Sequence, residues 1–459
     1  MEEFRKKSFW LDTVPGSLEP RAALQENLVA DVAIIGAGYT GLWTAYYLKQ
    51  INPALNIVIL EAEIAGFGAA GRNGGWCSGF LSGIDRWLDD PQHRDGAIRL
   101  QRLMFDTVAE VGRVTERESI DCHFEQSGAL EIAVLPAQLI RLNEELAYVQ
   151  GLGFDTGDYR FLNAGEIRET LNVDQAMGAM LMSHCAAIQP ALLARGLAET
   201  VAGLGVSLYE QSPVLELEGN QLKTPQGTVK AETTILATEG YSETLPGHER
   251  RLIPIHSMMV VTEPLSQEQI DAISMHRRYT FGNLDREVTY GQLTADGRIA
   301  FGCRGTYHYG SRIQGQFNED DPNFELVRQT LMRLFPVLEG IQFTHAWGGA
   351  MGVSRTLQPS VHYHPGAQLA WAGGYFGNGV GAAHLAGRTL ADLVTGRDTE
   401  RVHTPWVNPP QAGRKWEPEP LRWLGIKSAG VLMHMADRAE YQNSKFTPLI
   451  TRILDRLVS

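Results

Sequence analysis

The chain has 459 residues, 44% of them hydrophobic and 20% charged, the balance of a soluble globular protein long enough for two domains. A net charge of −13, with no Lys/Arg-rich stripe to offset it, excludes nucleic acid as a partner, because phosphate recognition needs a basic surface. No stretch approaches the roughly 18 apolar residues of a spanning helix, and the opening MEEFRKKSFWLDTVPG lacks the apolar core of a secretory signal, so a cytoplasmic location is expected.

In chain order, DVAII (31–35) is a short apolar run of the kind that forms a strand buried on both faces. A glycine turn, GAGYTG, follows, then a helical period over LWTAYYLKQ (42–50) that must stop at Asn52-Pro53. NIVIL supplies a second buried strand, and the βαβ unit so formed requires a parallel sheet. Residues 95–118 have a long helical period, SGALEIAV (127–134) reads as a strand, and residues 136–150 read as a helix. PALLARGLAETVAGLG (190–205) opens with Pro and closes with Gly, the asymmetry of a helix start and stop. VSLYE and TTILATEG (233–240) read as strands, and residues 255–305 hold several more (HSMMVVTE, EVTYGQL, GRIAFGCRG) with the texture of an antiparallel sheet. Residues 368–396 return to strand, glycine turn and helix. After the proline-rich WVNPPQAGRKWEPEP come two amphipathic helices, LRWLGIKSAGVLMHMADRAEYQ and FTPLITRILDRLV. Mixed charges on their polar faces point to packing on the protein's own body or a subunit partner rather than on a membrane.

The expected fold class is α/β (mixed α+β). A Rossmann-type nucleotide-binding domain (27–120, 161–250 and 341–398) is interleaved with an antiparallel-sheet substrate domain (121–160 and 251–340), and residues 399–459 form a C-terminal linker and helical extension.

Chemistry concentrates at the first turn. Gly36 permits the tight bend, Gly38 lets a pyrophosphate approach the backbone, and Gly41 lets the helix lie close to the sheet, with Tyr39 and Thr40 opening that helix. A diphosphate there meets free N–H groups and the positive end of the helix dipole. Glu61, followed by Ala62, ends the second strand where an acid accepts hydrogen bonds from a ribose. An acid rather than a base at this place also disfavours a 2′-phosphate.

The turn alone does not separate one dinucleotide from another. Together with later pieces, the chain resembles the D-amino-acid-oxidase/glycine-oxidase superfamily of FAD-dependent amine oxidoreductases, and within it the γ-glutamylputrescine oxidase-like members. The matching stretches are GAGYTGL, LEAEIAGFGAAGRNGG, QLTADGRIAFGC, WGGAMGVSRTLQP and GYFGNGVGAAHLAGR, in family order over roughly residues 27–398. The resemblance implies FAD as cofactor. It implies that Ala69, Gly71, Arg72, Asn73 and Gly74 run beside the pyrophosphate and flavin, and that Val214, opening the strand after Ser212-Pro213, offers backbone groups to the adenine. It further implies that Thr238 in ATEG returns the chain to the diphosphate, and that Gly377, Asn378, Gly379 and Val380 line the pyrimidine edge of the flavin. The second glycine turn, if aimed at that edge as the resemblance implies, would stabilise negative charge on a reduced flavin.

Departures from the family bear on substrate and acceptor. The arginines that clamp an α-carboxylate in glycine oxidases are absent: Met351 stands at one place and the turn around Gly377 lacks the other, leaving Arg355 as an alternative clamp. Cys303-Arg304 stands where sarcosine oxidases carry an oxygen-activating lysine. No cysteine matches their covalent attachment site between Thr344 and Gly366, and Cys77 reads as a buried thiol, so the flavin is expected to be non-covalent. His256, Tyr290, Trp347 and Tyr375, each beside a predicted strand, are the candidates for an aromatic substrate pocket. The spacing of cysteines and of the pair His362 and His364 gives no metal site.

The expected reaction is oxidation of a small primary or secondary amine by hydride transfer to flavin N5. Imine hydrolysis then gives an aldehyde or keto acid, and reoxidation by O2 gives hydrogen peroxide. The alternative is a dehydrogenase passing electrons to a quinone or protein at a membrane, with the C-terminal helices as its docking surface.

Overall fold

A computed structural model describes residues 2–411 and 413–442; the second amphipathic stretch, 446–458, lies outside the described residues. Two compact units share the chain. The first comprises Met1–Phe124, Ile188–Ile255 and Gly349–Trp416, and the second Glu125–Ala187, His256–Gly348 and Glu417–Ser459.

The first unit is built on the expected βαβ element. Strand Leu28–Ile35 pairs in parallel with Ile57–Leu60 on one side and with Thr228–Leu236 on the other, and Leu369–Gly373 adds a further parallel neighbour. All four residues of Ile57–Leu60 are buried, as are the last four of Leu28–Ile35, which is why these strands read as apolar runs rather than as alternation. Each such Val, Leu or Ile contributes about 1.5–3 kcal/mol of burial. Helix Tyr39–Ile51 crosses between the first two strands and ends at Asn52, ahead of Pro53. Helix Gly379–Thr395 packs on it so closely that a Cβ at Gly387 would stand 2.7 Å from the Cβ of Trp43. Gly396, in the left-handed conformation at φ 69°, stops that second helix. The strand expected at 233–240 begins at Thr228 and ends at Leu236, and Glu239–Thr244 is a 3₁₀ turn instead.

An eight-stranded sheet has most of its residues in the second unit. Its strand order is Phe343–Ser354, Leu252–Thr262, Ile299–Thr306, Thr289–Leu293, Thr280–Asn283, Ala129–Ala133, Gly178–Met182, Tyr159–Asn163. The antiparallel reading of residues 255–305 holds for Leu252–Thr262, Ile299–Thr306, Thr289–Leu293 and Thr280–Asn283 among themselves. The sheet as a whole is nevertheless mixed, because Thr280–Asn283 runs parallel to Ala129–Ala133. Helix Pro322–Leu334 covers its core, where Phe281 stacks on Phe301 at 6.1 Å and meets Phe335 edge-on at 5.6 Å. The C-terminal helix Leu421–Tyr441 belongs to this unit. Among the described residues no helix is long and apolar enough to cross a membrane.

Candidate FAD site

The chain leaves strand Leu28–Ile35 through Gly36, whose N–H donates to the Leu60 carbonyl at 2.8 Å and whose φ of 102° is open to glycine. The three turn glycines have different reasons. A Cβ at Gly36 would stand 2.8 Å from the Ala237 carbonyl oxygen, and one at Gly41 would stand 2.1 Å from the Gly36 oxygen, so both are demanded by the protein's own packing. A Cβ at Gly38 would meet nothing within 4 Å. Gly38 is also the N-cap of helix Tyr39–Ile51, and no side chain caps that end. An open glycine over uncapped N–H groups is the cradle that a diphosphate fills. The side chains of Tyr39 and Thr40 face away to anchors: the Tyr39 hydroxyl donates to the Pro190 carbonyl at 2.7 Å, and Thr40 Oγ1 lies 2.9 Å from the Tyr375 hydroxyl. These two residues thus offer backbone, not side chain, to the cradle.

Glu61 follows the second strand. Its Oε2 accepts from the Ala37 N–H at 2.7 Å and its Oε1 from the Glu63 N–H at 3.0 Å, which sets the carboxylate beside the turn. Part of its surface is reachable, yet the enclosing structure removes enough water to push its pKa up to about 7 despite those two donors. Ser212 N–H donates to the Glu61 carbonyl at 2.8 Å and Gln211 N–H to that of Glu63 at 3.1 Å, which brings the segment carrying Val214 alongside. Val214 does not open a strand; it lies in the loop before Glu216–Glu218. Ala62 is exposed between the two acids.

The loop 66–76 is tied to the first turn by the Gly66 N–H, which donates to the Ala37 carbonyl at 3.0 Å. Ala69–Gly71 form a 3₁₀ turn, and a Cβ at Gly71 would stand 2.3 Å from the Gly66 oxygen. Asn73 Nδ2 donates to the carbonyls of Ala69 and Ala70, both at 3.0 Å, and Asn73 Oδ1 accepts from the Gly75 N–H at 2.7 Å, so Gly74 is spanned by a side-chain brace. Arg72 is 2% exposed, its guanidinium 4.3 Å from the Phe67 ring centroid. Cys77 is fully buried in strand Trp76–Ser78.

On the far side, Ala237 N–H donates to the Ile35 carbonyl at 2.9 Å, and Thr238 Oγ1 pairs with Ser242 Oγ at 2.8 Å. The second glycine turn passes Tyr375, buried behind Thr40, to Gly377, at φ 99° with open space where a Cβ would go. Asn378 donates from Nδ2 to Ser82 Oγ at 2.7 Å and is the N-cap of helix Gly379–Thr395, an end that again has no side-chain cap. Gly379 and the buried Val380 open that helix. Two uncapped helix ends and two open glycines fit a dinucleotide carrying a flavin.

Several supporting residues carry no sequence signal of their own. Ser8 Oγ donates to the Gly71 carbonyl and Trp10 Nε1 to that of Asn73, both at 2.7 Å, so an N-terminal segment ahead of the expected domain start buttresses the glycine loop. Gln189 Nε2 holds the Trp10 carbonyl at 2.7 Å. Glu239, at φ 45°, buries its carboxylate against the N–H groups of Gly352 and Gly374, joining strand Phe343–Ser354 to the end of Leu369–Gly373. Burial raises its pKa, while the backbone donors, Gly352 foremost, oppose the rise.

The proposed substrate residues lie within strands rather than beside them, Tyr375 and Arg355 excepted. In the second unit His256 is fully buried. Its Nε2 accepts from the Gln314 N–H at 2.9 Å, and its ring meets His308 at 4.8 Å and Phe317 at 5.7 Å. Tyr290 shares a hydrogen bond with Ser257 Oγ, which also donates to the Cys303 carbonyl at 3.2 Å. Burial pushes the Cys303 thiol up to about 12. Trp347 is buried in strand Phe343–Ser354. In the first unit, Arg355 lies over Trp416 at 5.3 Å, and Trp416 Nε1 donates to the Val353 carbonyl at 2.8 Å.

A model of the FAD dependent oxidoreductase family, DAO, matches residues 31–393. The chain is 30% identical over 387 residues to gamma-glutamylputrescine oxidoreductase of Escherichia coli (strain K12), covering 83% of this chain and 87% of that protein. It is 29% identical over 386 residues to the probable oxidoreductase OrdL of Haemophilus influenzae, covering 81% and 84%. The solved glycine oxidase of Geobacillus kaustophilus has the same fold, with a TM-score of 0.68 at 20% identity over 81% of this chain and 96% of that one. With a family match over residues 31–393 and a relative 30% identical over most of its length, the chain belongs to the DAO family of FAD-dependent oxidoreductases.

Proposed function

We propose that the protein oxidises a small primary or secondary amine, with O2 as the acceptor of the electrons. The observation that carries this reading is the intact cradle, Gly38 open over an uncapped helix end with Glu61 beside it, in a chain 30% identical to a gamma-glutamylputrescine oxidoreductase. The chemistry FAD supplies when bound is a hydride acceptor: the C–H next to the amine nitrogen is oxidised, the imine is hydrolysed to an aldehyde or keto acid, and reoxidation yields hydrogen peroxide.

The chain's own part is binding and orientation. Helix ends at Gly38 and Asn378 face negative charge, Glu61 accepts ribose hydroxyls, and Arg72 adds a buried positive charge beside the loop. No general base is needed for a substrate bound as the neutral amine. Without arginines at Met351 and Gly377, an α-amino acid lacks a bidentate clamp, and Arg355 is already engaged over Trp416. This favours amines without an α-carboxylate. A soluble, cytoplasmic location and a non-covalent cofactor belong to the same reading.

The test is anaerobic bleaching of the flavin by a panel of polyamines, γ-glutamyl amines and N-methyl amino acids, followed by a peroxide assay in air. Bleaching by amines but not by α-amino acids is expected, with stoichiometric peroxide. A demonstrably FAD-loaded protein that no amine bleaches overturns the reading. Bleaching without peroxide assigns the electrons to another acceptor.

A further inference from the structure

The C-terminal helix Leu421–Tyr441 lies wholly beyond residue 393, where the family match ends, and its grip on the second unit is polar. Its buried residues are few: Arg422, Ala436 and Ala439. At its start, Glu419 Oε1 accepts from the Tyr307 hydroxyl at 2.6 Å and from the Gly310 N–H at 3.0 Å, while Oε2 accepts from the Trp423 N–H at 3.1 Å. Arg422 pairs with the same carboxylate and lies over the Tyr307 ring at 5.5 Å. Trp423 meets Tyr309 edge-on at 6.3 Å, and Lys427 Nζ donates to Thr306 Oγ1 at 3.0 Å.

At its far end, Asp437 accepts from the N–H groups of Arg286 and Glu287, both at 2.9 Å. Glu440 takes Arg141 and Arg286, and the Tyr441 hydroxyl donates to Asp285 at 3.0 Å. One helix therefore holds two loops, 306–311 and 284–287.

Both loops are at the same end of the sheet, because Thr289 pairs with Cys303 and Tyr290 with Gly302. That end carries the two proposed substrate residues of this unit: Tyr290, and His256, which pairs with Thr306. The segment after Thr306 is then held from two sides. Glu419 takes Tyr307 and Gly310, while His256 takes the Gln314 N–H and abuts His308.

We propose that the C-terminal helix is a clasp that fixes the 306–316 segment against His256, with Glu419 as the positioning residue, and that this added clasp restricts which amines the enzyme accepts. The proposal rests on the amine-oxidation reading above. Glu419 touches no reacting group; it acts through the loop it holds. Its carboxylate gathers two donors from the loop and two from the helix, so one substitution releases one end of the clasp while Asp437 and Glu440 keep the other.

The test compares the FAD-loaded enzyme with Glu419→Ala, the conservative Glu419→Gln and, at the far end, Asp437→Asn. Hydrogen exchange is followed in peptides covering 306–316, with the dinucleotide turn 36–51 as internal control. In Glu419→Ala the 306–316 amides should exchange about tenfold faster with the control unchanged, as expected for loss of charge-assisted bonds. The KM for the best amine should rise about tenfold with kcat within about twofold, and bulkier amines should lose less than it does. Glu419→Gln should recover part of both effects, and Asp437→Asn should loosen 284–287 first. Unchanged exchange at 306–316 in Glu419→Ala and Glu419→Gln overturns the clasp, and faster exchange with unaltered KM and selectivity overturns its role in choosing substrate. A wild-type flavin that no amine bleaches sinks the amine reading instead, and the exchange measurement still decides whether Glu419 holds the loop.

Discussion

A Cβ at Gly38 would meet nothing within 4 Å, whereas one at Gly41 would stand 2.1 Å from the Gly36 carbonyl oxygen. The two glycines of one motif therefore separate by experiment. Gly38→Val should leave the apoprotein folded, with a melting temperature close to wild type, yet weaken FAD about 100-fold by filling the space the diphosphate needs. Gly41→Val should instead lower apoprotein stability, because the helix must move off the strand. Melting curves of the apoprotein and FAD titration by flavin fluorescence read the two effects separately. If Gly38→Val binds FAD normally, the cradle is misassigned. Glu61 adds a pH dependence with a definite sign. Its pKa rises from 4.5 to about 7 in the folded chain, so the folded state holds this proton more tightly than the unfolded state does. This group's contribution to apoprotein stability is thus fully present below the lower value and is lost as pH climbs through about 7. Ribose hydroxyls donate to the ionised form, so FAD affinity should fall as pH drops below about 7, by up to tenfold per unit. Glu61→Gln should flatten that profile. An affinity independent of pH in the wild type would remove Glu61 from the ribose.

Elements whose signals are local were legible in the sequence, and those defined by distant partners were not. The βαβ unit declares itself through apolar runs, turn glycines and Asn52-Pro53, all within some thirty residues of each other, and its register follows from them. Segment Phe9–Asp12 has no such signature: a four-residue helix in a charged stretch, it matters only because Trp10 and Ser8 reach carbonyls sixty-three positions away. Glu239 is similar, since nothing near ATEG announces that Gly352 and Gly374 will offer it their N–H groups. Tyr375 is a further case, since its hydroxyl partner Thr40 stands 335 residues earlier and ties it to helix Tyr39–Ile51. The N-terminal segment yields its own prediction. Trp10→Phe keeps most of the packing and deletes the bond to Asn73, so it should cost about 1 kcal/mol in urea unfolding of the apoprotein. It should also weaken FAD several-fold by loosening the loop around Asn73. Equal losses with and without saturating FAD would confine Trp10 to the scaffold.

At the scale of the molecule, the first unit is assembled from three stretches of chain, with residues 125–187 and 256–348 of the second unit between them in sequence. Strand Leu369–Gly373 completes its parallel sheet against Thr228–Leu236, and helix Gly379–Thr395 covers Tyr39–Ile51 through the close contact at Gly387. Both arrive last in the sequence, although the diphosphate turn they support comes first. The cradle at Gly38 is therefore local in sequence and global in stability, because the part of helix Tyr39–Ile51 that packs on Gly379–Thr395 stays uncovered until residue 395 is in place. Long-range closure of this kind favours all-or-none assembly over a stepwise build-up of binding. A chain ending at residue 368, though it contains every residue of the GAGYTG motif and Glu61, should bind no FAD and should expose apolar surface to a hydrophobic dye. A chain ending at Trp416, which retains Leu369–Gly373, Gly379–Thr395 and the Trp416 contact with Arg355, should load FAD even without the C-terminal helix. FAD fluorescence quenching and dye binding on the two purified chains decide the matter. Binding by the shorter chain would show that the turn and its strands suffice, and would move the second glycine turn from a necessary half of the site to a refinement of it.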